Sequence, residues 1–517
     1  MFSACRNLAR VFRIGRVLAR HDVLFLLDAL PVGSLVATLL RPMVRPAEGR
    51  PGQRLARAFV ELGPTFIKLG QALSTRPDLM GEAIAQDLTD LQDRLEPFPF
   101  EDVRRILTDE FGEPPESLWQ SFDEVPVAAA SIAQVHFAVT TDGKPVAVKV
   151  LRPGVEKIFA RDVEMFSWIA AMVERFRPQF RRLRPVETVR TFEDSVTLEM
   201  DLRFEAAAAA ELAENFAGDT TFRVPAIDWQ RTGQRVMTQE RIAGIPLDER
   251  ERIIAVGLDP REVITHAANA FFNMVFRDGF FHADLHPGNL FVDETGTIIA
   301  VDFGIMGRVS EETKRTLGEM LLGFLTGNYR RVAEVHFEAG WVPDDKSVDA
   351  FTQAARSIAE PIFGKPINEI SIARLLGQLF QVTEQFSMQT QPQLLLLQKS
   401  MLLAEGVGRK LEPDINMWEL AYPLVERWMT DTFGPGARVK GTVHGLARTL
   451  ERMPAVLEYA DRAAAMMASG GLKLHPETVR QLGVSLTGGN GRRTLPTWLP
   501  WILVAGLALA LIGRQGQ

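Results

Sequence analysis

Acidic and amide side chains lie close together in the sequence between residues 282 and 304, at a spacing that suits phosphoryl transfer. This part of the chain reads His282-Ala283-Asp284-Leu285-His286-Pro287-Gly288-Asn289, and Asp302-Phe303-Gly304 follows after a predicted β-hairpin. Because a hairpin returns the chain to its start, we expect Asp284, Asn289 and Asp302 to lie close together. Carboxylate and amide oxygens are ligands that magnesium prefers, and phosphoryl transfer needs such a metal and a carboxylate beside the attacking oxygen. The pattern predicts that Asn289 and Asp302 hold the metal and that Asp284 orients the attacking oxygen.

Each piece of this pattern is weak by itself. A D-F-G tripeptide occurs by chance in structural turns, and His282 with His286 could instead bind zinc, although no third soft ligand lies nearby in the sequence. The combination is more specific, because Asp284 and Asn289 have the spacing of the H-R-D-x-x-x-x-N catalytic loop of protein kinases. We therefore favour phosphoryl transfer over a structural turn or a zinc site.

A lysine on a predicted strand supplies the second part of the pattern. Val146-Ala147-Val148-Lys149 resembles V-A-I-K, in which the lysine contacts the α- and β-phosphates of ATP. Alternatively, Lys149 is only a solvated lysine at the end of a strand. A helical glutamate should pair with this lysine, and we favour Glu205, at the head of an alanine-rich helix, over Glu199 and Asp201. These acidic residues could otherwise form only a surface cluster.

Four motifs together resemble the UbiB/ADCK family of atypical kinases over about residues 60 to 310. The K-x-G-Q, alanine-rich, E-x-D and catalytic-loop motifs of that family correspond here to Lys68-Leu69-Gly70-Gln71, Ala128-Ala129-Ala130-Ser131, Glu199-Met200-Asp201 and His282 to Asn289. The resemblance implies ATP or ADP binding with Mg²⁺, a preference for ADP, and a K-x-G-Q helix whose Lys68 and Gln71 face the phosphates.

The alanine-rich motif departs from the glycine loop of ordinary kinases. Ala128, Ala129, Ala130 and Ser131 restrict the backbone and add methyl groups where glycines would let it approach the phosphates. We expect these residues to cover the phosphates, unless they merely begin a helix. Glu240 to Ile242, after a predicted strand at Arg235 to Thr238, should form the hinge that holds the nucleotide between two lobes.

The resemblance also implies a role in ubiquinone biosynthesis, as an ATPase or a small-molecule kinase acting on polyprenyl-phenol precursors. No A-P-E follows the D-F-G, which argues against a peptide substrate. Family members have also been labelled 2-polyprenylphenol hydroxylases, but the chain has no dinucleotide-binding G-x-G-x-x-G and no clear iron site. A true kinase and a nucleotide-sensing scaffold for other ubiquinone enzymes remain alternatives.

Composition bounds the partners and the location. The chain has 517 residues and a net charge of -7, so we expect no nucleic-acid partner. A single cysteine, Cys5, excludes an intramolecular disulfide. Uncharged residues from Leu495 to Ile512, flanked by arginines, favour a transmembrane helix at 494–513 over a buried hydrophobic helix. We expect a kinase-like domain in the cytoplasm, at the bacterial inner membrane.

The predicted architecture is α+β, with an atypical protein-kinase-like bilobal fold, an N-terminal helical extension and a C-terminal transmembrane helix. A basic helical N-terminus, residues 1–60, either lies on anionic lipid or is an ordinary helix with a solvated basic face. The further segments are the extension at 61–119, the nucleotide-binding lobe at 120–245, the helical lobe at 246–415, and a helical region with a flexible linker at 416–490.

Overall fold

The computed structural model describes residues 2–29, 38–74 apart from 45, 80–91 apart from 90, 95–176, 184–361 and 392–412, with some positions from 382 to 430. All of them lie in the first of the chain's two units, Met1–Thr432. Within these residues, no helix has both the length and the hydropathy needed to cross a membrane. The transmembrane helix predicted at 494–513 and nearly all of the region at 416–490 lie outside the described residues.

The N-terminal extension is helical. Its helices are α1 (Phe2–Arg20), α2 (Pro51–Leu62), α3 (Pro64–Ser74) and α4 (Glu82–Thr89), with 3₁₀ turns at Leu24–Ala29 and Arg41–Met43. The apolar side of α1 packs inward, where Val11 and Leu18 are buried with Leu55 of α2 and Ile67 of α3. Helix α1 therefore packs on the rest of the extension, and some of its arginines, such as Arg13, are exposed.

The smaller lobe is built on an antiparallel sheet behind two helices. Its elements are α5 (Phe100–Phe111), α6 (Pro115–Leu118), β1 (Trp119–Phe122), β2 (Ala128–Ala129), β3 (Ala133–Thr140), β4 (Pro145–Leu151) and β6 (Val236–Glu240). The strand order is β1-β3-β4-β6, and β2 also pairs with β3. Alternation along β4 sends Val146, Val148 and Val150 into a core shared with Ile106 of α5. Lys149 therefore lies on the opposite face of the sheet.

Three helices cover that opposite face: α7 (Val155–Phe176), α8 (Pro185–Glu199) and α9 (Leu202–Asn215). The Asp201 side chain caps α9 by accepting a hydrogen bond from the Arg203 N–H. Ala206 of α9 belongs to the core of the smaller lobe, whereas Ala209 and Leu212 belong to the core of the larger one. Glu205 thus lies where the two cores meet.

The larger lobe is mainly helical and holds the predicted catalytic hairpin. Its elements are β5 (Phe222–Arg223), β7 (Ile245–Pro246), α10 (Arg250–Ala255), α11 (Pro260–Phe272), a π-helical continuation at Asn273–Asp278, β8 (Phe280–His282), β9 (Leu290–Val292), β10 (Ile298–Ala300), β11 (Met306–Arg308), α12 (Glu311–Leu325), α13 (Tyr329–Glu338), α14 (Val348–Ala359) and α15 (Pro392–Leu411). β9 and β10 form the hairpin, whose turn is held by Asp293 Oδ1, which accepts hydrogen bonds from the N–H groups of Thr295 and Thr297.

Strand pairing crosses the boundary predicted at residue 245. Strand β5 precedes that boundary, yet it pairs in parallel with β10 in the larger lobe, in the strand order β5-β10-β9-β7. A two-residue strand has no periodicity of its own, and its partner lies far along the chain. Local sequence patterns therefore could not assign it.

Candidate active site

Lys149 joins the two lobes through its side chain. Its Nζ donates to Glu205 Oε1 at 2.7 Å and Oε2 at 2.9 Å, and to Asp302 Oδ1 at 3.1 Å. Glu205, rather than Glu199 or Asp201, is therefore the carboxylate that pairs with Lys149. The sheet register explains the placement, because alternation directs Lys149 toward α9 and away from the valine core.

Burial and charge act against each other in this cluster. Burial raises the pKa of Glu205 to about 7, although the nearby charge of Lys149 lowers it. Burial also disfavours the Lys149 ammonium, but the charges of Asp302 and Glu205 outweigh that effect, and the pKa of Lys149 lies above its ordinary value. The charge of Lys149 is in turn the main cause that lowers the pKa of Asp302. One ammonium thus contacts two carboxylates, and burial favours the protonated form of Glu205 while the charge of Lys149 keeps Asp302 ionised.

The catalytic loop is held by hydrogen bonds to its own backbone. The Asp284 N–H donates to His282 Nδ1 at 3.1 Å, and Asn289 Nδ2 donates to the Asp284 carbonyl at 3.1 Å. His282 Nε2 lies 3.2 Å from the Val301 carbonyl, so both of its ring nitrogens have partners. Burial lowers the pKa of His282, which favours the neutral ring that this pattern requires.

The hairpin brings the D-F-G to the catalytic loop. The Val301 N–H donates to the Asn289 carbonyl at 2.9 Å, so Asn289 lies beside the residue that precedes Asp302. Asp302 adopts a φ of 62°, a left-handed conformation that aspartate and asparagine tolerate better than most residues. Phe303 is buried in the core of the larger lobe, while half of the Asp302 side chain remains exposed to the cleft.

The alanine-rich motif is a strand and a tight turn, so the alternative of a helix start is wrong. Ala128 pairs with Val135 and Ala129 with Gln134, and the Ala130 N–H donates to the Ala133 carbonyl at 2.7 Å. Arg152 Nε donates to the Ala130 carbonyl at 3.0 Å, and Ser131 is fully buried. The hydrogen bond from Arg152 thus holds the turn. Pairing of β2 with β3 overrides the helical preference of alanine.

The K-x-G-Q helix, α3, reaches the same cleft. Lys68 Nζ lies 2.6 Å from Glu199 Oε2, so the K-x-G-Q and E-x-D motifs meet. The charge of Lys68 also contributes to the lowered pKa of Asp302. Gly70 allows α3 to pack closely, because a Cβ there would lie 2.6 Å from Leu91 Cδ2. Gln71 Oε1 is buried and accepts no hydrogen bond from any residue that the structure describes.

Strand β6 continues into the first residue of the segment predicted as the hinge, Glu240 to Ile242. Glu240 is still in β6, where it pairs with Val146, and its carboxylate accepts a hydrogen bond from Arg223. The chain leaves the strand at Arg241 and passes through the partly buried Ile242. Gly244 then approaches β9, where a Cβ would lie 3.2 Å from the Val292 carbonyl oxygen. Longer pairing with β4 moved the end of the strand past the predicted Thr238.

One residue of the site escaped sequence reasoning. Lys399 of α15 donates from Nζ to Asp284 Oδ1 at 2.9 Å. The available signal was a lysine placed directly after Leu394-Leu395-Leu396-Leu397-Gln398 and before Met401-Leu402-Leu403. A lysine inside so apolar a run is unusual on a helix that packs into a core. Nothing in the local pattern, however, names Asp284, which lies 115 residues away.

The residues present fit a nucleotide with magnesium better than zinc. In the part of the chain that is described, no group of three or more His, Cys, Asp or Glu could hold a metal ion. Magnesium needs fewer protein ligands, because it keeps several waters and binds phosphate oxygens beside one or two carboxylates. Asn289 and the half-exposed Asp302 offer that donor set, and the buried Gln71 Oε1 is a polar atom that a ligand could satisfy.

The arrangement of lobes and motifs agrees with the comparisons to known proteins. The ABC1 atypical kinase-like domain matches residues 90–336, and the UbiB helical domain matches residues 355–416. A solved structure, the complex of Rv3197 with erythromycin from Mycobacterium tuberculosis, has a TM-score of 0.51 and 24% identity, and the match covers 76% of this chain and 97% of that one. This likeness supports the predicted kinase-like fold.

Curated relatives extend the likeness over nearly the whole chain. A protein of Marinobacter nauticus named probable protein kinase UbiB is 40% identical, with 98% of this chain and 94% of the relative covered. Its namesake in Pseudomonas putida is 38% identical, with coverage of 98% and 99%. Similarity of this extent, together with the two domain matches, shows that the chain belongs to the UbiB family of atypical kinase-like proteins.

Proposed function

We propose that this protein is an ATP-dependent phosphotransferase or ATPase that supports ubiquinone biosynthesis by acting on or mobilising polyprenyl-phenol precursors. The observation that carries the proposal is the Lys149 cluster, in which one ammonium contacts both Glu205 and Asp302 across the cleft. A structural ion pair needs only one carboxylate. Two carboxylates and an adjacent catalytic loop favour a site that is completed by magnesium and a nucleotide.

The proposed roles follow from these positions. Lys149 binds the α- and β-phosphates while Glu205 holds it in place, and the turn from Ala128 to Ser131 covers the phosphates. The backbone around Glu240 and Ile242 receives the adenine, and Lys68 and Gln71 approach from α3. Asn289 and Asp302 hold magnesium, which when bound neutralises charge on the transferred group. Asp284 orients the attacking oxygen and accepts its proton.

The proposed acceptor is water or a small hydroxyl compound rather than a peptide. The chain passes from Gly304 directly into β11 and then into α12, whose N-cap is Ser310, so these described residues contain no long segment on which a peptide could dock. The Lys68–Glu199 pair also ties the extension to α8 beside the cleft. Both features favour a compact acceptor.

The proposed location is the bacterial inner membrane. The uncharged run from Leu495 to Ile512, opened by Trp498 and Trp501, is of a length and composition suited to a membrane span. We propose that this segment anchors the protein, with its kinase-like domain in the cytoplasm, where hydrophobic precursors are within reach. Other ubiquinone-biosynthesis proteins are further proposed partners.

The test is ATP hydrolysis by the full chain in lipid vesicles, with and without an added phenolic lipid. We expect slow, Mg²⁺-dependent hydrolysis that rises with the phenolic lipid and falls at least about a hundredfold in Asp302→Asn. Asparagine keeps the left-handed backbone, so the variant tests the charge. Asp345→Asn, at an exposed position, is the control and should behave as wild type.

Two other results would change the assignment. Transfer of the γ-phosphate to a defined acceptor would show a true kinase. Nucleotide binding without any turnover, together with wild-type association with other ubiquinone enzymes in Asp284→Asn, would favour a nucleotide-sensing scaffold.

A further inference from the structure

Lys399 occupies a position in which a lysine is costly. It lies on α15, which places Leu397 and Val407 in the core of the larger lobe, and its neighbour Ser400 is fully buried. Only 18% of the Lys399 side chain is exposed. An ammonium that has lost most of its hydration requires a charged partner, which Asp284 provides.

Stability alone does not account for this pair. Asp284 is about one-third exposed, and ion pairs of this kind add little to the free energy of unfolding, whereas a methionine at the same place would pack without a desolvation cost. The backbone of Asp284 is already fixed by His282 and Asn289. Lys399 is therefore not needed to hold the loop in shape.

We propose that Lys399 binds the terminal phosphate of the bound ATP. The inference rests on the function proposed above and adds a residue to the same site. Asp284 stands where the attacking oxygen meets the terminal phosphorus, so an ammonium 2.9 Å from its carboxylate reaches the same place. Lys149 contacts the cluster on the other side of the cleft. The phosphate chain then has a cation at each end.

No other cation of the catalytic loop takes this position. His286, two residues after Asp284, uses Nδ1 to accept the Gly288 N–H and so shapes the loop itself. The loop between His282 and Asn289 contains no lysine or arginine. A cation for the terminal phosphate must come from another element, and α15 supplies one.

The position of α15 would link the bound nucleotide to the helical domain. Helix α15 lies in the region that matches the UbiB helical domain, residues 355–416. If Lys399 binds the terminal phosphate, ATP makes a direct contact with this helix, and ADP does not. The helical domain then distinguishes the two nucleotides, because only ATP moves the ammonium from Asp284 to a phosphate oxygen.

The direct test compares two nucleotides by calorimetry on the full chain with Mg²⁺. Lys399→Met should bind the non-hydrolysable analogue AMP-PNP about tenfold or more weakly than wild type, with ADP affinity unchanged. Lys399→Arg should restore most of the AMP-PNP affinity. Lys410→Met is the matched control, because Lys410 lies on the same helix but pairs with Asp248. It should leave both affinities unchanged.

The outcomes separate this inference from the proposed function. If wild type binds neither nucleotide, the proposed function fails. If wild type binds both nucleotides and Lys399→Met binds AMP-PNP as tightly as wild type does, Lys399 makes no contact with the terminal phosphate and the inference is overturned.

A second measurement needs no variant, so it holds even if Lys399→Met does not fold. Hydrogen exchange in wild type should show that AMP-PNP protects the amides of α15 more than ADP does. Equal protection by the two nucleotides would overturn the inference.

Discussion

Two lysines meet two aspartates of the same cleft, but the molecule places them in different ways. Lys149 lies on the central sheet of the smaller lobe, where strand alternation and a local V-A-V-K pattern fix its direction. Lys399 reaches Asp284 from α15, a helix far along the chain that is held by apolar packing. The position of Lys149 can be predicted from the local sequence, whereas the position of Lys399 depends on how distant segments pack.

The two lysines show that one half of the cleft depends on local sequence motifs and the other half on the packing of distant helices. The half around Lys149 follows from motifs that resemble those of ordinary kinases. The other half depends on the family's own helical additions, because Lys68 comes from α3 and Lys399 from α15. Substitutions in the two halves should therefore fail in different ways.

The largest effect is expected in the half that local motifs describe. Lys149→Met should lower ATP hydrolysis by about a thousandfold, because it removes the phosphate contact and leaves Glu205 and Asp302 as unpaired neighbours. Steady-state hydrolysis in vesicles measures the loss. Lys157→Met, at an exposed position of α7, is the control. Hydrolysis in Lys149→Met within tenfold of wild type would contradict the comparison.

A smaller loss is expected from Glu205→Gln, which keeps the shape of the side chain and removes its charge. Lys149 is then left with Asp302, so the ammonium competes more strongly with magnesium for that carboxylate. We expect hydrolysis to fall by about tenfold to a hundredfold, with a higher Mg²⁺ concentration at half-maximal rate. Glu211→Gln, whose partner is the exposed Arg308, is the control. An unchanged Mg²⁺ dependence would argue against a metal at Asp302.

Substitutions of two helical glycines, one on α3 and one on α15, compare how tightly these two helices pack. Gly70→Ala should lower the free energy of unfolding by about 1–3 kcal/mol, because the new methyl group meets Leu91 and Phe59. Gly406→Ala on α15 meets no atom within 4 Å of those described, so it should raise that free energy by about 0.5–1 kcal/mol. Urea unfolding of both variants measures the difference. Equal effects would show that the K-x-G-Q glycine is not required for packing.

The smallest effect concerns His282, which belongs to neither addition. Burial lowers its pKa in the folded protein, so the unfolded chain binds a proton more readily. The stability contributed by the neutral ring is present above the unfolded pKa of about 6.5 and is lost as the pH falls toward the folded pKa. His282→Asn should reduce this pH dependence. Urea unfolding between about pH 5 and pH 8 tests it, and an identical slope in both proteins would contradict the buried neutral ring.

The sequence predicts the parts of the fold that have strong local signals. The β9–β10 hairpin and the Lys149–Glu205 pair both depend on short patterns. The resemblance to the UbiB/ADCK family depends on several motifs in a fixed order, and two of them, K-x-G-Q and E-x-D, meet in the structure through Lys68 and Glu199.

The remaining features depend on contacts between distant segments. Pairing of β2 with β3 turned a helix-forming alanine run into a strand, and β5 joined the sheet of the larger lobe through β10. The apolar side of α1 packs on α2 and α3, and the basic composition of the N-terminus does not indicate these contacts. Lys399 was missed for the same reason, because its helix and Asp284 meet only after folding.

The central claim is that Asp302 and Asn289 hold a divalent cation that binds the nucleotide opposite Asp284. Calorimetric titration of the full chain with AMP-PNP, in Mg²⁺ and in EDTA, tests it most directly when repeated on Asp302→Asn. We predict binding in wild type that requires Mg²⁺ and is lost in the variant. The account would be contradicted if AMP-PNP bound equally well in Mg²⁺ and in EDTA and to both proteins, or if it bound under no condition.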